Sequence, residues 1–335
     1  MKTSFVVAAW LITQAAWAVS PADQNEYAHA QTRVDIGGGR KMNLYCMGSG
    51  SPTVVFESGT GSAGWDWLLV QPVIAQKTRA CSYDRAGLGF SDASGRLGTS
   101  ANAVDDLHRL LTAADVKPPY VLVGHSYGGM TVQLYTYTHP QEVVGLVSVD
   151  GGHEDEPARL DRITGGIYSK LMAQYLGVSK RCAAGAAHDM SPGTDAYKEC
   201  VGEPPPVFKG PVAHAYQSMK MSAVYWQATL SEEESEMVSA TQLRNARKSF
   251  GALPLIYLTR GVSPYLVAGK PQSPLNKAAE QDVKAMHDEI TALSTRGSNR
   301  VVAGAGHYIH MEKPKAVIDA TLDVLAQARG TPRAP

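Results

Sequence analysis

The sequence has no excess of charge of either sign, since 31 Lys and Arg residues balance 31 Asp and Glu residues over 335 positions. It also has no internal repeat, no low-complexity tract and no block of like charges. Without a net field, nothing draws the protein to nucleic acid or to an anionic membrane surface. We therefore expect a small, weakly charged substrate rather than a polyanion, and no nucleic-acid partner.

Long apolar runs are absent except at the N-terminus. Lys2 precedes an apolar run from Phe5 to Trp17, and Ala16-Trp17-Ala18 has the small-x-small pattern that a signal peptidase reads. The run is too short to span a bilayer comfortably, and no other segment is long and apolar enough to do so. A buried N-terminal helix is the alternative interpretation. The pattern predicts a signal peptide over residues 1–18, a secreted or periplasmic location and no stable membrane insertion.

Cysteine is scarce, with four residues in the whole chain. In an oxidising compartment an even number favours disulfides, and four cysteines allow three pairings. Cys182 and Cys200 lie close together in a Gly-, Pro- and Ala-rich stretch that has little else to hold it. We expect these two to pair, which leaves Cys46 to pair with Cys81. Four buried free thiols are the alternative.

Short β-branched and apolar runs alternate with helical patterns, as in a parallel sheet built from βαβ units. A continuous apolar run such as Val143–Val149 suits a strand that is covered by helices on both faces. The predicted strands are residues 32–36, 42–47, 53–57, 79–83, 120–124, 143–149, 253–258 and 300–303. The sequence thus predicts an α/β fold, with a mostly parallel eight-stranded sheet and helices on both of its faces.

The alternation disappears between residues 151 and 249, where Gly, Pro, Ala, Met and Tyr are frequent. We interpret this stretch as a helical cap, inserted into a core formed by residues 19–150 and 250–335. Packing of the insertion onto the sheet is the alternative role for each of its large side chains. Candidate pocket residues in it are Tyr168, Met172, Tyr175, Met219, Tyr225 and Trp226.

A nucleophile motif follows the fifth predicted strand. The apolar run leads directly into Gly124-His125-Ser126-Tyr127-Gly128, a G-x-S-x-G sequence, and then into a helical pattern. A serine on such a strand-to-helix turn has its hydroxyl exposed above the sheet edge, and the flanking glycines remove Cβ atoms that would collide. The helix N-terminus then faces the place where negative charge would develop. We predict that Ser126 is a nucleophile, with a serine in a structural turn as the alternative.

Three further segments occur in an order that is typical of a known family. Phe56–Gly61 follows the third strand, Tyr83–Asp92 contains a D-R-x-G-x-G-x-S-D turn after the fourth, and Gly304-Ala305-Gly306-His307 follows the last. Together with the G-x-S-x-G turn, they make the chain resemble an α/β-hydrolase of the serine-nucleophile esterase and lipase group over nearly all of the mature sequence. The resemblance implies that the protein hydrolyses a carboxylic ester, or a related acyl bond of a small molecule, through an acyl-enzyme without a cofactor.

The resemblance also implies the partners of Ser126. His307 is expected to act as the base, and His310 is the rival three residues later. The triad acid is expected at Asp150, at the end of the sixth strand, because no carboxylate follows the seventh strand closely. Glu154 and the segment Glu280–Asp288 are the alternatives.

An oxyanion hole requires two backbone N–H groups aimed at the developing charge. Tyr127, directly after the nucleophile, is expected to supply one, and Thr60 the other, with Gly59 close behind. Ser58-Gly59 stands where many relatives carry His-Gly. Asp84-Arg85 is expected to be structural, tying loops together near the site.

Neither a metal-binding motif nor a dinucleotide fingerprint is present, since His153, Glu154 and Asp155 are adjacent rather than at ligand spacing. A lactonase, amidase, peptidase or thioesterase would use the same catalytic groups. Dehalogenases and epoxide hydrolases of this fold use Asp where the chain has Ser126, which argues against both. The alternative from a different class is a catalytically silent ligand-binding protein of the same fold.

Overall fold

The computed structural model describes residues 24–186, 190–266 and 269–330, so the predicted signal peptide lies outside the described residues. Within these ranges, no helix combines the length and the hydrophobicity that a bilayer span requires.

Eight strands form one sheet in the order β1-β2-β4-β3-β5-β6-β7-β8. β1 and β2 pair antiparallel, as do β2 and β4, and every other neighbouring pair is parallel. The sheet is therefore mostly parallel, as predicted. The strands are β1 Thr32–Asp35, β2 Lys41–Met47, β3 Thr53–Glu57, β4 Ala80–Tyr83, β5 Tyr120–His125, β6 Val143–Val149, β7 Leu255–Arg260 and β8 Gly297–Val302.

Twelve α-helices occur in the described residues. Six of them, α4 to α9, lie between β6 and β7, in the segment 151–249 that we call the insertion. The core helices are α1 Gln71–Ala75, α2 Ser100–Ala113, α3 Tyr127–Thr138, α10 Pro274–Thr291, α11 Ile309–Glu312 and α12 Pro314–Ala328. The insertion helices are α4 Glu156–Thr164, α5 Ile167–Ala186, α6 Asp195–Cys200, α7 Pro211–Lys220, α8 Ala223–Glu234 and α9 Glu236–Ala246.

The two faces of the sheet carry separate apolar cores, because successive side chains of a strand point to opposite faces. Leu122 of β5 packs with Val55 of β3 in one buried cluster, which includes residues of α2, α3 and α9. Val121 and Val123 pack in the other with Phe56, against α1 and α12. Burial on both faces explains why the central strands are apolar throughout.

Three strand boundaries differ from the predicted ones by more than one residue, and one of them is the end of β7, at Arg260 rather than at residue 258. β7 was predicted from residue 253 but begins at Leu255, because Pro254 has no N–H to donate to the ladder. β8 begins three residues earlier than predicted, at Gly297. It lies at the edge of the sheet with most of its side chains exposed or half-buried, so the polar run Gly297–Arg300 gave no apolar signal.

Both predicted disulfides are confirmed. Cys46 and Cys81 are directly opposite each other on β2 and β4, and Cys182 of α5 is joined to Cys200 of α6. The first bond therefore links strands that already share a sheet, whereas the second holds two helices of the insertion.

Candidate active site

Ser126 lies on a strained turn between β5 and α3. Its backbone has φ 53° and ψ −121°, a conformation that is costly for a residue with a Cβ atom. Three backbone hydrogen bonds hold the turn. The N–H of Ser126 donates to the carbonyl of Val149 at 3.2 Å, and the carbonyl of Ser126 accepts from the N–H groups of Gly129 at 2.8 Å and Gly152 at 3.1 Å. These bonds tie the turn to the end of β6.

The flanking glycines are required by close packing of the backbone. A Cβ atom on Gly124 would lie 2.4 Å from the carbonyl oxygen of Gly128, and one on Gly128 would lie 2.5 Å from the carbonyl oxygen of Glu57. Neither contact is sterically possible without a backbone shift. The G-x-S-x-G sequence is thus explained by the turn that it forms.

Asp150 and His307 form a hydrogen-bonded pair at the same edge of the sheet. Nδ1 of His307 lies 2.6 Å from Oδ2 of Asp150, which is fully buried at the end of β6. Burial by itself would raise the pKa of Asp150, but the charge of Arg260 and the hydrogen bond from His307 outweigh it and hold this pKa far below its usual range. Asp150 is therefore an ionised acceptor, and His307 carries a proton on Nδ1.

Ser126, Asp150 and His307 line one cavity of about 670 Å³. Its floor is formed by the carboxyl edge of the sheet, and the insertion forms the opposite wall through α4, α5, α8 and α9. Tyr168, Met172 and Tyr175 line this wall. The other candidate pocket residues do not line the cavity but pack in a separate buried cluster, whose members include Met219, Tyr225 and Trp226.

Comparison with known proteins gives the family. The sequence matches the alpha/beta hydrolase family over residues 54–320. The chain belongs to the α/β hydrolase family. Membership of this family supports a hydrolase, and the reaction itself has to be argued from the site.

The relatives are distant. The uncharacterised protein YqjL of Bacillus subtilis (strain 168) is 27% identical over 281 residues, which are 84% of this chain and 86% of YqjL. A candidate lipase (lip1) from Acinetobacter baumannii AYE has a TM-score of 0.64 at 17% identity, covering 92% of this chain and 94% of its own. The epoxide hydrolase CorEH has a TM-score of 0.57 at 18% identity, covering 89% and 98%. The similarity to these structures shows the shared fold alone.

The rival residues of this α/β hydrolase lie away from the cavity or bind other groups. His310 is completely buried and does not line the cavity. Glu154 binds Arg247, and Glu280 binds the guanidinium of Arg260 at 2.8 Å. Asp150 is thus the carboxylate that the structure places against His307.

Arg260, at the end of β7, was not singled out from the sequence. Its backbone N–H donates to Oδ1 of Asp150 at 3.0 Å, and its Nη1 donates to Oδ2 at 2.9 Å. These bonds fix the carboxylate in the orientation that His307 meets. A single basic residue two positions after the apolar run Leu255–Leu258, at a carboxyl strand edge, was the available signal.

His125, the residue before Ser126, also contacts the histidine loop. Burial, followed by the charges of His310 and His307, holds the pKa of His125 well below its ordinary value, so the ring is neutral. Its Nε2 lies 3.0 Å from the carbonyl oxygen of His307 and therefore carries the proton that is donated to it. This histidine was not singled out from the sequence.

The loop after β3 is held by Arg85, as its expected structural role requires. Nη1 of Arg85 donates to the carbonyl of Ser58 and Nη2 to the carbonyl of Gly59, both at 2.6 Å. Its Nε also donates to Glu232 of α8 at 2.7 Å, which links this loop to the insertion. Thr60 lines the cavity immediately after this loop segment.

The described part of the chain has no group of three or more His, Cys, Asp or Glu side chains arranged to hold a metal ion.

Proposed function

We propose that the protein is a serine hydrolase that cleaves carboxylic esters of small molecules through an acyl-enzyme, with Ser126 as nucleophile, His307 as base and Asp150 as acid. The observation that carries this proposal is the Asp150–His307 hydrogen bond in the same cavity as a serine on a strained turn. Asp150 would hold His307 in the tautomer whose Nε2 is free to accept the serine proton.

A serine nucleophile at position 126 favours substrates with an acyl group. Attack by a serine oxygen on a carbonyl gives an acyl-enzyme, which water can hydrolyse at the same carbonyl. Attack on an epoxide or an alkyl halide would instead give an ether, which the same groups cannot hydrolyse. Ser126 therefore favours ester cleavage over the epoxide hydrolysis named for CorEH.

Two backbone N–H groups are candidates for the oxyanion hole. Tyr127 begins α3, so its N–H has no acceptor within the helix. The carbonyl of Gly59 points at Arg85, and in a trans peptide the N–H of the next residue, Thr60, points the opposite way. We propose that Tyr127 and Thr60 donate to the developing oxyanion, with the insertion acting as a lid over them.

A secreted or periplasmic location is part of the proposal. Two disulfides are compatible with an oxidising compartment, and the N-terminal sequence has the features of a cleaved signal peptide.

The test uses the mature chain and p-nitrophenyl butyrate. Ser126→Ala and His307→Ala should each lower kcat by about 10⁴-fold or more, since the two groups act as a unit. An organophosphate ester probe should add one equivalent to the peptide that contains Ser126 in the wild type, as read by mass spectrometry. Far-ultraviolet circular dichroism of both variants serves as the folding control. Undiminished hydrolysis by Ser126→Ala would contradict the mechanism.

A further inference from the structure

The insertion side of the cavity is acidic. Glu156, Glu232, Glu233 and Glu236 all line it. Glu232 is neutralised by the buried guanidinium of Arg85. Within the described ranges, the other three carboxylates form no salt bridge.

The sheet side of the cavity offers no free cation to balance these carboxylates. Arg260 is the one Lys or Arg among the described residues that line the cavity, and its guanidinium already binds Asp150 and Glu280. Its positive charge is therefore matched by two carboxylates on the sheet side. Burial raises the pKa of Glu156 and of Glu233 to about 7 and also raises the pKa of Glu236, so the insertion side carries most of its negative charge above neutral pH.

The three carboxylates line the same cavity as the rings of Tyr168 and Tyr265. Burial, and then the charges of Glu156 and Glu236, raise the pKa of Tyr168. Burial, and then the charge of Glu156, raise the pKa of Tyr265 to about 12. Carboxylates beside aromatic faces form the type of surface that binds ammonium and quaternary ammonium groups.

One carboxylate oxygen of Glu233 is buried and accepts no hydrogen bond. Its Oε1 accepts a hydrogen bond from Ser179 at 2.9 Å, whereas its Oε2 is shielded from solvent and has no partner. Burial raises the pKa of Glu233 to about 7, with the neighbouring charges of Glu232, Glu236 and Glu234 adding to the effect. A buried carboxylate without a counter-charge is destabilising, and a bound cation would relieve this cost.

Helix stability does not account for this arrangement. Glu156 and Glu236 lie in the first turns of α4 and α9, where negative charge is favourable. Glu233, however, lies in the last turn of α8, where negative charge opposes the helix dipole. Its position is therefore unfavourable for α8, and its side chain lines the cavity.

From these observations, and resting on the proposed function, we propose that the cavity selects esters that carry a positively charged ammonium group, which Glu156, Glu233 and Glu236 bind together with the rings of Tyr168 and Tyr265. The carbonyl carbon of the ester would then lie at the hydroxyl of Ser126.

A matched pair of substrates tests this selection. Butyrylcholine and 3,3-dimethylbutyl butyrate have the same shape and differ in the nitrogen that carries the positive charge. At pH 8 the wild-type kcat/KM should favour the choline ester by about tenfold or more, which corresponds to about 1.4 kcal/mol. Glu233→Gln, Glu236→Gln and Glu156→Gln should each lower this ratio several-fold.

Glu234→Gln is the matched control. Glu234 is next to Glu233 on α8, but it is half-exposed, pairs with Lys180 and does not line the cavity. Its removal subtracts the same charge from the same helix, so a ratio that falls equally in Glu234→Gln would show a diffuse field and overturn the inference.

The inference and the proposed function fail in different ways. Equal kcat/KM for the two esters would overturn the inference and leave the ester hydrolase standing. Titration calorimetry on the Ser126→Ala protein measures binding of both esters without turnover. Tighter binding of the choline ester there would support the inference even if the wild type hydrolysed neither, and equal or absent binding would overturn it.

Discussion

Two carboxylates of the sheet core and three of the insertion differ in how many partners the protein gives them. In the core, Asp84 accepts hydrogen bonds from two backbone N–H groups and from Asn43, and Asp150 accepts three from Arg260 and His307. In the insertion, one oxygen of Glu233 is buried without a partner, and Glu156 and Glu236 have no salt bridge within the described chain. Asp84 and Asp150 are thus satisfied within the protein, whereas Glu156, Glu233 and Glu236 line the cavity without an ion-pair partner among the described residues. Glu232 of the insertion is of the first kind, because Arg85 binds it.

The difference separates two tasks. A carboxylate that orients a histidine must be fixed to within a fraction of an ångström, and several hydrogen bonds provide that precision. A carboxylate that recognises a ligand gains from having no internal partner, because the ligand then supplies it. We therefore assign the reaction chemistry to the core and the choice of substrate to the insertion.

The largest effect should come from the core acid. Asp150→Asn preserves the size of the side chain but favours the wrong tautomer of His307, so kcat for p-nitrophenyl butyrate should fall by about 10⁴-fold. Glu280→Gln removes the other carboxylate bound to Arg260 without touching His307, and it is the control for a general disturbance of Arg260. An Asp150→Asn protein with nearly wild-type kcat would show that another group serves as the acid.

A smaller effect should follow from cutting the link between the two regions. Arg85→Met leaves Glu57 and Glu232 buried without their shared counter-charge, which should lower the free energy of unfolding by about 3–5 kcal/mol. Urea denaturation measures the change. The double variant Arg85→Met/Glu232→Gln should recover part of this loss, and strictly additive single effects would show that the pair is not coupled.

The two disulfides compare the regions directly. In the chain-entropy account, closing 35 residues between Cys46 and Cys81 contributes about 4 kcal/mol, and closing 18 residues between Cys182 and Cys200 contributes about 3 kcal/mol. Replacing the second pair by serine should raise KM as well, because α5 lines the cavity, while replacing the first should lower stability with little change in KM. A raised KM after loss of the Cys46–Cys81 bond, with an unchanged KM after loss of the Cys182–Cys200 bond, would contradict the assignment of substrate choice to the insertion.

The smallest effect concerns pH and the buried core residue His287. Burial lowers the pKa of His287 to about 4, so between pH 6.5 and 4 the unfolded chain binds a proton that the folded chain does not. The contribution of His287 to the free energy of unfolding should therefore be constant above pH 6.5 and fall as the pH decreases. His287→Gln should reduce the loss between pH 7 and pH 4.5 by about 2–3 kcal/mol, measured by urea denaturation at both pH values. An unchanged loss would show that His287 does not contribute.

The sequence placed much of the site, because strand ends of a parallel sheet meet at one edge. Ser126, Asp150 and His307 each follow an apolar strand pattern, and the structure brings Asp150 to His307 across 157 positions. Arg260 and Glu232 were not found in this way, since their partners lie 110 and 147 positions away and no local pattern marks the pairing.

The sequence by itself determined the order of the strands along the chain and the turn at Ser126, since both depend on local backbone and side-chain preferences. Only the tertiary structure decided which face the glutamates of α8 and α9 present to the cavity, and that Glu233 is left without a full set of partners. Burial and counter-charge are properties of the surroundings of a side chain, and those surroundings exist only after the insertion has packed over the sheet.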